Sequence, residues 1–373
     1  MIGAGVVGLA VAWLLSRRGH PVLLIDPAAS PSTSNLRSGS GAALGLLMAQ
    51  VYRRSSGRGW RLRQQSLALW QQWRQELDQR GHAIPFRPGL LQLASSADEL
   101  EAQRRLVEQR QRQGLPLRWL GPEALAALRP QLPPAALGGV LSPNDGQLDP
   151  LAAMAALRAD ATAAGMETWP VAVEQISRGD GPERRWRVHG ADGGCRPCRW
   201  LVVCAGLGSA GLVEGLGHGR PLGPVLGQAL ELQLPHGLDA EGDGPERWPG
   251  SLSWGGINLV PRPGGRLWLG ATLEPGEVAD PAQGAQLQLL GGQAPEWLRQ
   301  ATVLERWQGL RARPLGRPAP LLEALEPGLL LASGHHRNGV LLAPASAEWA
   351  AEQIAQGGRP EGPSAAAANK KPP

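Results

Sequence analysis

Gly3, Gly5 and Gly8 stand in the spacing G-x-G-x-x-G, with Val6 and Val7 inside it, and Asp26 is the first acid that follows. Such a set can hold a phosphorylated ligand. A turn without side chains lets its N–H groups approach a pyrophosphate, and the start of the next helix favours the anion. A carboxylate ~20 residues further on can accept a hydrogen bond from a ribose hydroxyl. These residues need a strand–turn–helix–strand unit to position them. Leu9 to Arg18 reads as an apolar helix stopped by Gly19 and Pro21, and Val22 to Ile25 as a short buried strand ending on Asp26. Upstream, only Met1 and Ile2 are left for the first strand, which normally sits inside a parallel sheet. Missing apolar side chains would cost on the order of 1.5–3 kcal/mol each. The expectation is that the natural protein starts a few residues upstream, or that this chain binds its dinucleotide poorly.

Other reactive residue types give less. Cys195-Arg196-Pro197-Cys198 has redox-motif spacing, but it reads as a Gly/Pro-rich turn and lacks a second pair for zinc, so it is taken as incidental. Cys204 lies in an apolar run and reads as a small core residue. His335 and His336 are adjacent, so their side chains point apart, and no metal site is expected.

The chain has 373 residues, 42% of them hydrophobic, enough for two modest domains with a sizeable core. It has 14 Trp but one Phe and one Tyr, and its only lysines are Lys370 and Lys371. The pI of about 9.8 thus comes from arginine interspersed with acids, which describes a mixed solvated surface and not a nucleic-acid partner. No signal peptide is seen and no apolar run reaches the ~18 residues of a membrane span, so a soluble, cytoplasmic chain is expected.

Beyond Asp26 the pattern predicts a Ser-rich loop to Ser40, the run Gly41 to Leu47, and a long helix from about Gly59 to Arg80 with Trp60, Trp70 and Trp73 facing the core. A strand over Pro88 to Ala94, a charged surface helix over Ala97 to Gln113 and a helix opening at Gly121 follow. Asp149 caps a helix through Ala164, with Pro150 in its first turn. Strands are expected at Glu167 to Ile176, Trp186 to His189 and Trp200 to Ala205, the last ending at Gly206 with its end facing the cofactor. Alternating segments at Gln228 to Leu234, Asn258 to Val260 and Arg266 to Thr272 predict an antiparallel sheet. Leu329 to Ala332 is a further buried strand, and an apolar helix runs from Val340 to about Gln356.

Taken in order, Gly3 to Gly8, Asp145 to Pro150, Pro224 to Gln228, Leu259 to Arg262, Leu269 to Thr272, Gly309 to Arg311 and above all Gly334 to Ala345 resemble the FAD-dependent D-amino acid oxidase (DAO) superfamily, and the last run its glycine oxidase branch of the thiamine pathway. The resemblance implies an α/β (α+β overall) fold. A Rossmann-like FAD-binding domain would be drawn from 1–81, 141–219 and 305–356. A substrate domain from 82–140 and 220–304 would be built on an antiparallel sheet over the flavin. Residues 357–373 would form a disordered tail.

The resemblance also implies the site. Gly3, Gly5, Val6, Val7, Gly8 and Asp26 would hold the dinucleotide, Val171 the adenine through its backbone, and Ala205 and Gly206 the strand end beside it. Ala43, Gly45, Leu46 and Leu47 would flank the isoalloxazine, with Gly339, Val340 and Leu341 at the pyrimidine edge. His336 and Asn338 are expected at the cofactor too, with packing the other reading for the histidine pair. A helix starting there also has a physical reason to favour negative charge on the flavin. Arg311 and Arg337 would bind the substrate carboxylate, as a guanidinium fork does well. Asn258 stands where the family's substrate-site tyrosine falls, a shorter residue that opens the pocket. Arg262 is expected to support the sheet.

The implied activity is oxidation of a small amino acid or amine. A hydride passes from the α-carbon to flavin N5, the imine hydrolyses to an oxo acid and ammonia, and oxygen is reduced to hydrogen peroxide. FAD would be non-covalent, no cysteine standing at an attachment position. A different electron acceptor, or a flavin-binding protein with little turnover, stays open, as does self-association into a homo-oligomer.

Overall fold

In the computed structural model, which describes residues 1–27, 39–183, 185–240, 244 and 246–357, the short apolar runs align as one mainly parallel sheet. The tail from 358 onward and the loop at 28–38 lie outside the described residues. The order is Glu167–Trp169, Leu23–Ile25, Ile2, Leu201–Val203 and Leu329–Ser333, with Leu321–Glu326 antiparallel at the edge. Ile2 alone supplies the middle position. Its N–H donates to Val202 O at 3.0 Å, its carbonyl accepts from Cys204 N at 2.8 Å, and Met1 O accepts from Ile25 N at 2.8 Å.

Helices cover one face because their apolar stripes have nowhere else to go. Val6–Arg17, Gly57–Asp78, Pro150–Ala163 and Gly339–Ala355 share one core with Leu24, Val202 and Leu330. Two tryptophans of the long helix face inward: Trp70 and Trp73 are buried, and Trp73 meets Trp13 with ring centroids 4.4 Å apart. Trp60, expected there too, is half-buried under the Arg110 guanidinium and not in this core. Pro344 lies inside the last helix and cannot donate to Val340 O. The Trp70 indole N–H donates to that carbonyl instead, at 2.9 Å, while Ala345 N donates to the Ser66 hydroxyl at 3.1 Å.

A three-stranded antiparallel layer, Val173–Arg178, Trp186–Gly190 and Cys195–Cys198, covers the other face. Two expectations are corrected there. The strand anticipated over Glu167 to Ile176 is two strands, broken where Pro170 has no N–H to give. The cysteine pair is not in a turn but in an edge strand, where residues three apart point to opposite faces, and both thiols are free.

The second sheet has ten strands. Its path runs Glu274–Pro275, Leu222–Gln233, Arg266–Gly270, Ile257–Arg262, Ser251–Trp254, Phe86–Ala94, Gly138–Leu148 and Leu46–Leu47. Thr302–Pro314 joins it alongside Leu222–Gln233, and Arg118–Leu120 alongside Gly138–Leu148. All its pairs are antiparallel except Ser251–Trp254 with Phe86–Ala94. Two strands thus join stretches of chain on either side of the expected domain limits: Gly138–Leu148 and Thr302–Pro314 both pair within this sheet. Arg262 ion-pairs with Asp149 and lies 3.9 Å over the Trp268 ring, tying the large sheet to the start of Pro150–Ala163.

Candidate active site

The glycine turn is shaped by close approach of backbone. Gly3 has φ +103°, and a Cβ on Gly8 would stand 1.9 Å from Gly3 O, so neither position takes a side chain. The Asp26 carboxylate accepts from Ala4 N at 2.7 Å, which fastens the second strand to the turn. Val6 N donates to Ser40 Oγ at 3.0 Å, and Val7 follows in the first turn of Val6–Arg17. Beside this turn lies a cavity of about 320 Å³ lined by Gly3, Asp26, Val171 and Ala205. Four residues expected at the dinucleotide, from four separate stretches, therefore meet at one hollow. Gly206 follows Ala205, its carbonyl fixed by the Ser333 hydroxyl at 3.0 Å.

The segment from Ala43 to Leu47 crosses to the large sheet. Leu46 and Leu47 pair with Gln147 and Gly146, and Gly45 O accepts from Leu148 N at 3.0 Å. The chain just beyond is held on both edges. Asp145, buried, accepts from Ala49, Gln50 and Val51 N–H groups at 2.8–3.0 Å. Arg110, wholly buried, donates to the carbonyls of Gln50, Tyr52 and Arg54. Burial pushes the Asp145 carboxyl up to about 6, although those N–H groups and Ser142 pull against it. The helix Ala97–Arg112, expected only as a surface helix, thus sends one guanidinium into the interior. Helical charge periodicity carries no sign of this, because the partners are backbone carbonyls.

His335 and His336 part as neighbours must. His335 is buried against Ser346, Nε2 to Oγ 2.8 Å, and burial, then the charge of Arg58, brings it down to about 3. His336 has φ +54° and opens the turn to Asn338 and the helix Gly339–Ala355, in which Val340 and Leu341 are buried. Its ring is held neutral, down to about 4, by burial and then by Arg311, Arg337 and Arg313. Its Nε2 is buried without a hydrogen-bond partner among the described residues. Asn338 makes no side-chain cap, so the first N–H groups of this helix are not taken by it.

Arg311 lies on Thr302–Pro314 opposite Val225, with its guanidinium laid over Gly227, where a Cβ would come within 2.2 Å of it. One nitrogen donates to the carbonyls of Leu226 and Thr272, both at 3.1 Å. Burial, then the like charge of Arg337, lowers its pKa to about 10, and Glu274 opposes them. Burial pushes the Glu274 carboxyl up, but Asp280 N–H, the Thr272 hydroxyl and the Gln228 amide outweigh that and hold it below the ordinary range. Arg337 is exposed and has no carboxylate partner among the described residues. Asn258 is buried and, through Gly270 and Ala229, in register with Trp307, so it stands three strands from Arg311 and four residues along. The sheet thus brings Arg311 and Arg337 together and keeps Asn258 apart from them. Gly227 and the Glu274 network escaped the sequence reading; their signal lies in strand register, which no short motif records.

A model of the FAD-dependent oxidoreductase (DAO) family matches residues 1–353. The chain belongs to that family. It is a FAD-dependent oxidoreductase, and the cavity, the bare glycine turn and the uncapped helix start fit FAD. This family member is 29% identical to the glycine oxidase of Geobacillus kaustophilus (strain HTA426), over 92% of this chain and 89% of that protein. It is 28% identical to the bifunctional protein ThiO/ThiG of Nostoc sp. (strain PCC 7120 / SAG 25.82 / UTEX 2576), over 95% of this chain and 52% of that longer protein. The solved glycine oxidase of Geobacillus kaustophilus superposes with a TM-score of 0.83 at 26% identity, covering 100% of this chain and 97% of that one. No helix among the described residues is long and apolar enough to cross a membrane.

Proposed function

We propose that the protein is an oxidase of small amino acids or secondary amines, similar in activity to the glycine oxidases it resembles, with FAD bound non-covalently. The carrying observation is the pair Arg311 and Arg337, close enough that the charge of Arg337 bears on the Arg311 guanidinium, with Arg337 just ahead of the start of Gly339–Ala355. A carboxylate laid on this pair has its charge met on two sides, which fixes the α-carbon in one place and so removes orientational freedom before reaction. The chemistry supplied by bound FAD would be acceptance of a hydride from that carbon and delivery of the two electrons to oxygen, giving hydrogen peroxide. The imine product leaves and reacts with water to give an oxo acid and ammonia. The helix start at Gly339, Val340 and Leu341 would favour negative charge on the flavin edge, and Ala43, Gly45, Leu46 and Leu47 would flank the ring. The FAD unit keeps its three segments, but Gly138–Leu148 and Thr302–Pro314 fall to the substrate unit, which moves two seams to about 149 and 315.

Anaerobic mixing with glycine, sarcosine and D-alanine tests the reading: one of them bleaches the flavin, and in air each turnover releases one peroxide. Absence of bleaching with every amine would sink it. Bleaching without peroxide, but with reduction of a dye acceptor, would make the protein a dehydrogenase.

A further inference from the structure

The carboxylate site has more positive charge than one carboxylate can use. Along the pairing of Leu222–Gln233 with Thr302–Pro314, Gly223 stands opposite Arg313, Val225 opposite Arg311 and Gly227 opposite Gly309. Opposite residues share a face, as do alternate residues of a strand. Arg311 and Arg313 therefore rise from the same face, beside Gly223, Gly227 and Gly309, with the Arg311 guanidinium over Gly227 and Leu315 over Gly223. At the end of this strand Gly334 approaches Pro314 so closely that a Cβ would meet its ring at 2.7 Å, which docks the His336 and Arg337 turn onto the same end. The charges of Arg311, Arg337 and Arg313 all bear on His336. Among the described residues no Asp or Glu ion-pairs with any of the three, and the oxygens of Glu274 are occupied by Gln228, Thr272 and Asp280. Arg311 and Arg337 suffice for one carboxylate; Arg313, exposed at the open side, is left over.

We propose that Arg313 receives a second anionic group of the substrate, so that the site prefers amines with two carboxylates over glycine, sarcosine or D-alanine. This rests on the oxidase reading for its chemistry, but the second anion site can be tested without turnover. In the oxidised, FAD-loaded protein at low salt, malonate and acetate are titrated by their perturbation of the flavin spectrum. Malonate binds about tenfold tighter or more, the gain of one charge-assisted hydrogen-bonded pair, and R313A brings the ratio close to one. R306A removes the same charge from the opposite face of the same strand and keeps the ratio. Equal binding of the two anions, an unchanged ratio in R313A, or an equal loss in R306A overturns the proposal. With turnover, the kcat/KM ratios of iminodiacetate to sarcosine and of D-aspartate to D-alanine exceed one and fall in R313A. If no amine bleaches the flavin, the oxidase reading fails while the malonate and acetate comparison still decides the second site.

Discussion

At the proposed dinucleotide end of this protein most of the working parts are backbone: a side-chain-free turn, a carbonyl that forbids a Cβ on Gly8, and a strand end at Ala205, with the Asp26 carboxylate beside them. At the proposed carboxylate end they are long side chains: Arg311, laid over Gly227 of a different strand, and Arg337 of the turn before the last helix. The turn of the first is written within a few consecutive residues and tolerates no added atom at Gly3 or Gly8. The second depends on register between segments some 85 residues apart, as Arg311 and Leu226 are, and has slack at the tips of its side chains.

Substitutions at the two ends should separate these rules. Gly8→Val puts carbon atoms into Gly3 O and should cost about 4 kcal/mol or more, so the purified protein is colourless or insoluble. A yellow, stable variant would show that the turn is not the tight element described. Arg311→Ala keeps FAD but lowers kcat/KM for the amino acid substrate about a hundredfold, the loss of a charge-assisted fork; loss of flavin instead would make Arg311 a folding residue. Gly227→Ala is milder, because its clash is with a movable guanidinium and not with backbone. KM should rise about tenfold with kcat nearly kept, as for lost uniform binding. An unchanged KM would mean that Arg311 does not need that bare surface.

The smallest effect concerns Asp145, which belongs to neither end. Its folded pKa, pushed up to about 6 by burial, exceeds the unfolded value of 3.8. Between those values the native state holds a proton that the unfolded chain has lost, so the stability this group contributes is present at low pH and is lost as pH rises through about 6. In Asp145→Asn the amide replaces an acceptor of three N–H groups, yet the desolvation of a charge is relieved, for a net cost of about 1 kcal/mol at neutral pH. The Tm of the natural protein should gain on that of the variant as pH falls from 7 to 4. A difference that is flat with pH would overturn the assignment.

The same division sets how much could be read from the sequence. Gly3, Asp26 and the helix after Gly339 were legible because each feature is local: a bare turn, one acid at the end of the next strand, and an apolar run opened by glycine. Ala205 came from the pattern of a buried strand ending on glycine and Val171 from family resemblance, and the cavity lies against both of them and against Gly3 and Asp26. Cys195–Cys198 was misread because glycine and proline nearby suggest a turn, while pairing with Trp186–Gly190 makes it a strand. Gly227 could not be found, since nothing within Pro224 to Gln228 says that Arg311 lies across it. Arg110 looked like one solvated charge among many on its helix, and only the fold buries it.

Asp145 and Arg110 leave a mark in time as well as in space. The chain from Ala49 to Arg54 belongs to no regular strand or helix, and amides there would ordinarily exchange with solvent deuterium within the local opening of a loop. Their donors on one edge end on a carboxylate and their acceptors on the other on a guanidinium. Release of the amide protons of Ala49, Gln50 and Val51 therefore requires the buried Asp145 carboxylate of Gly138–Leu148 to leave them, which ties their exchange to the slow opening of that strand.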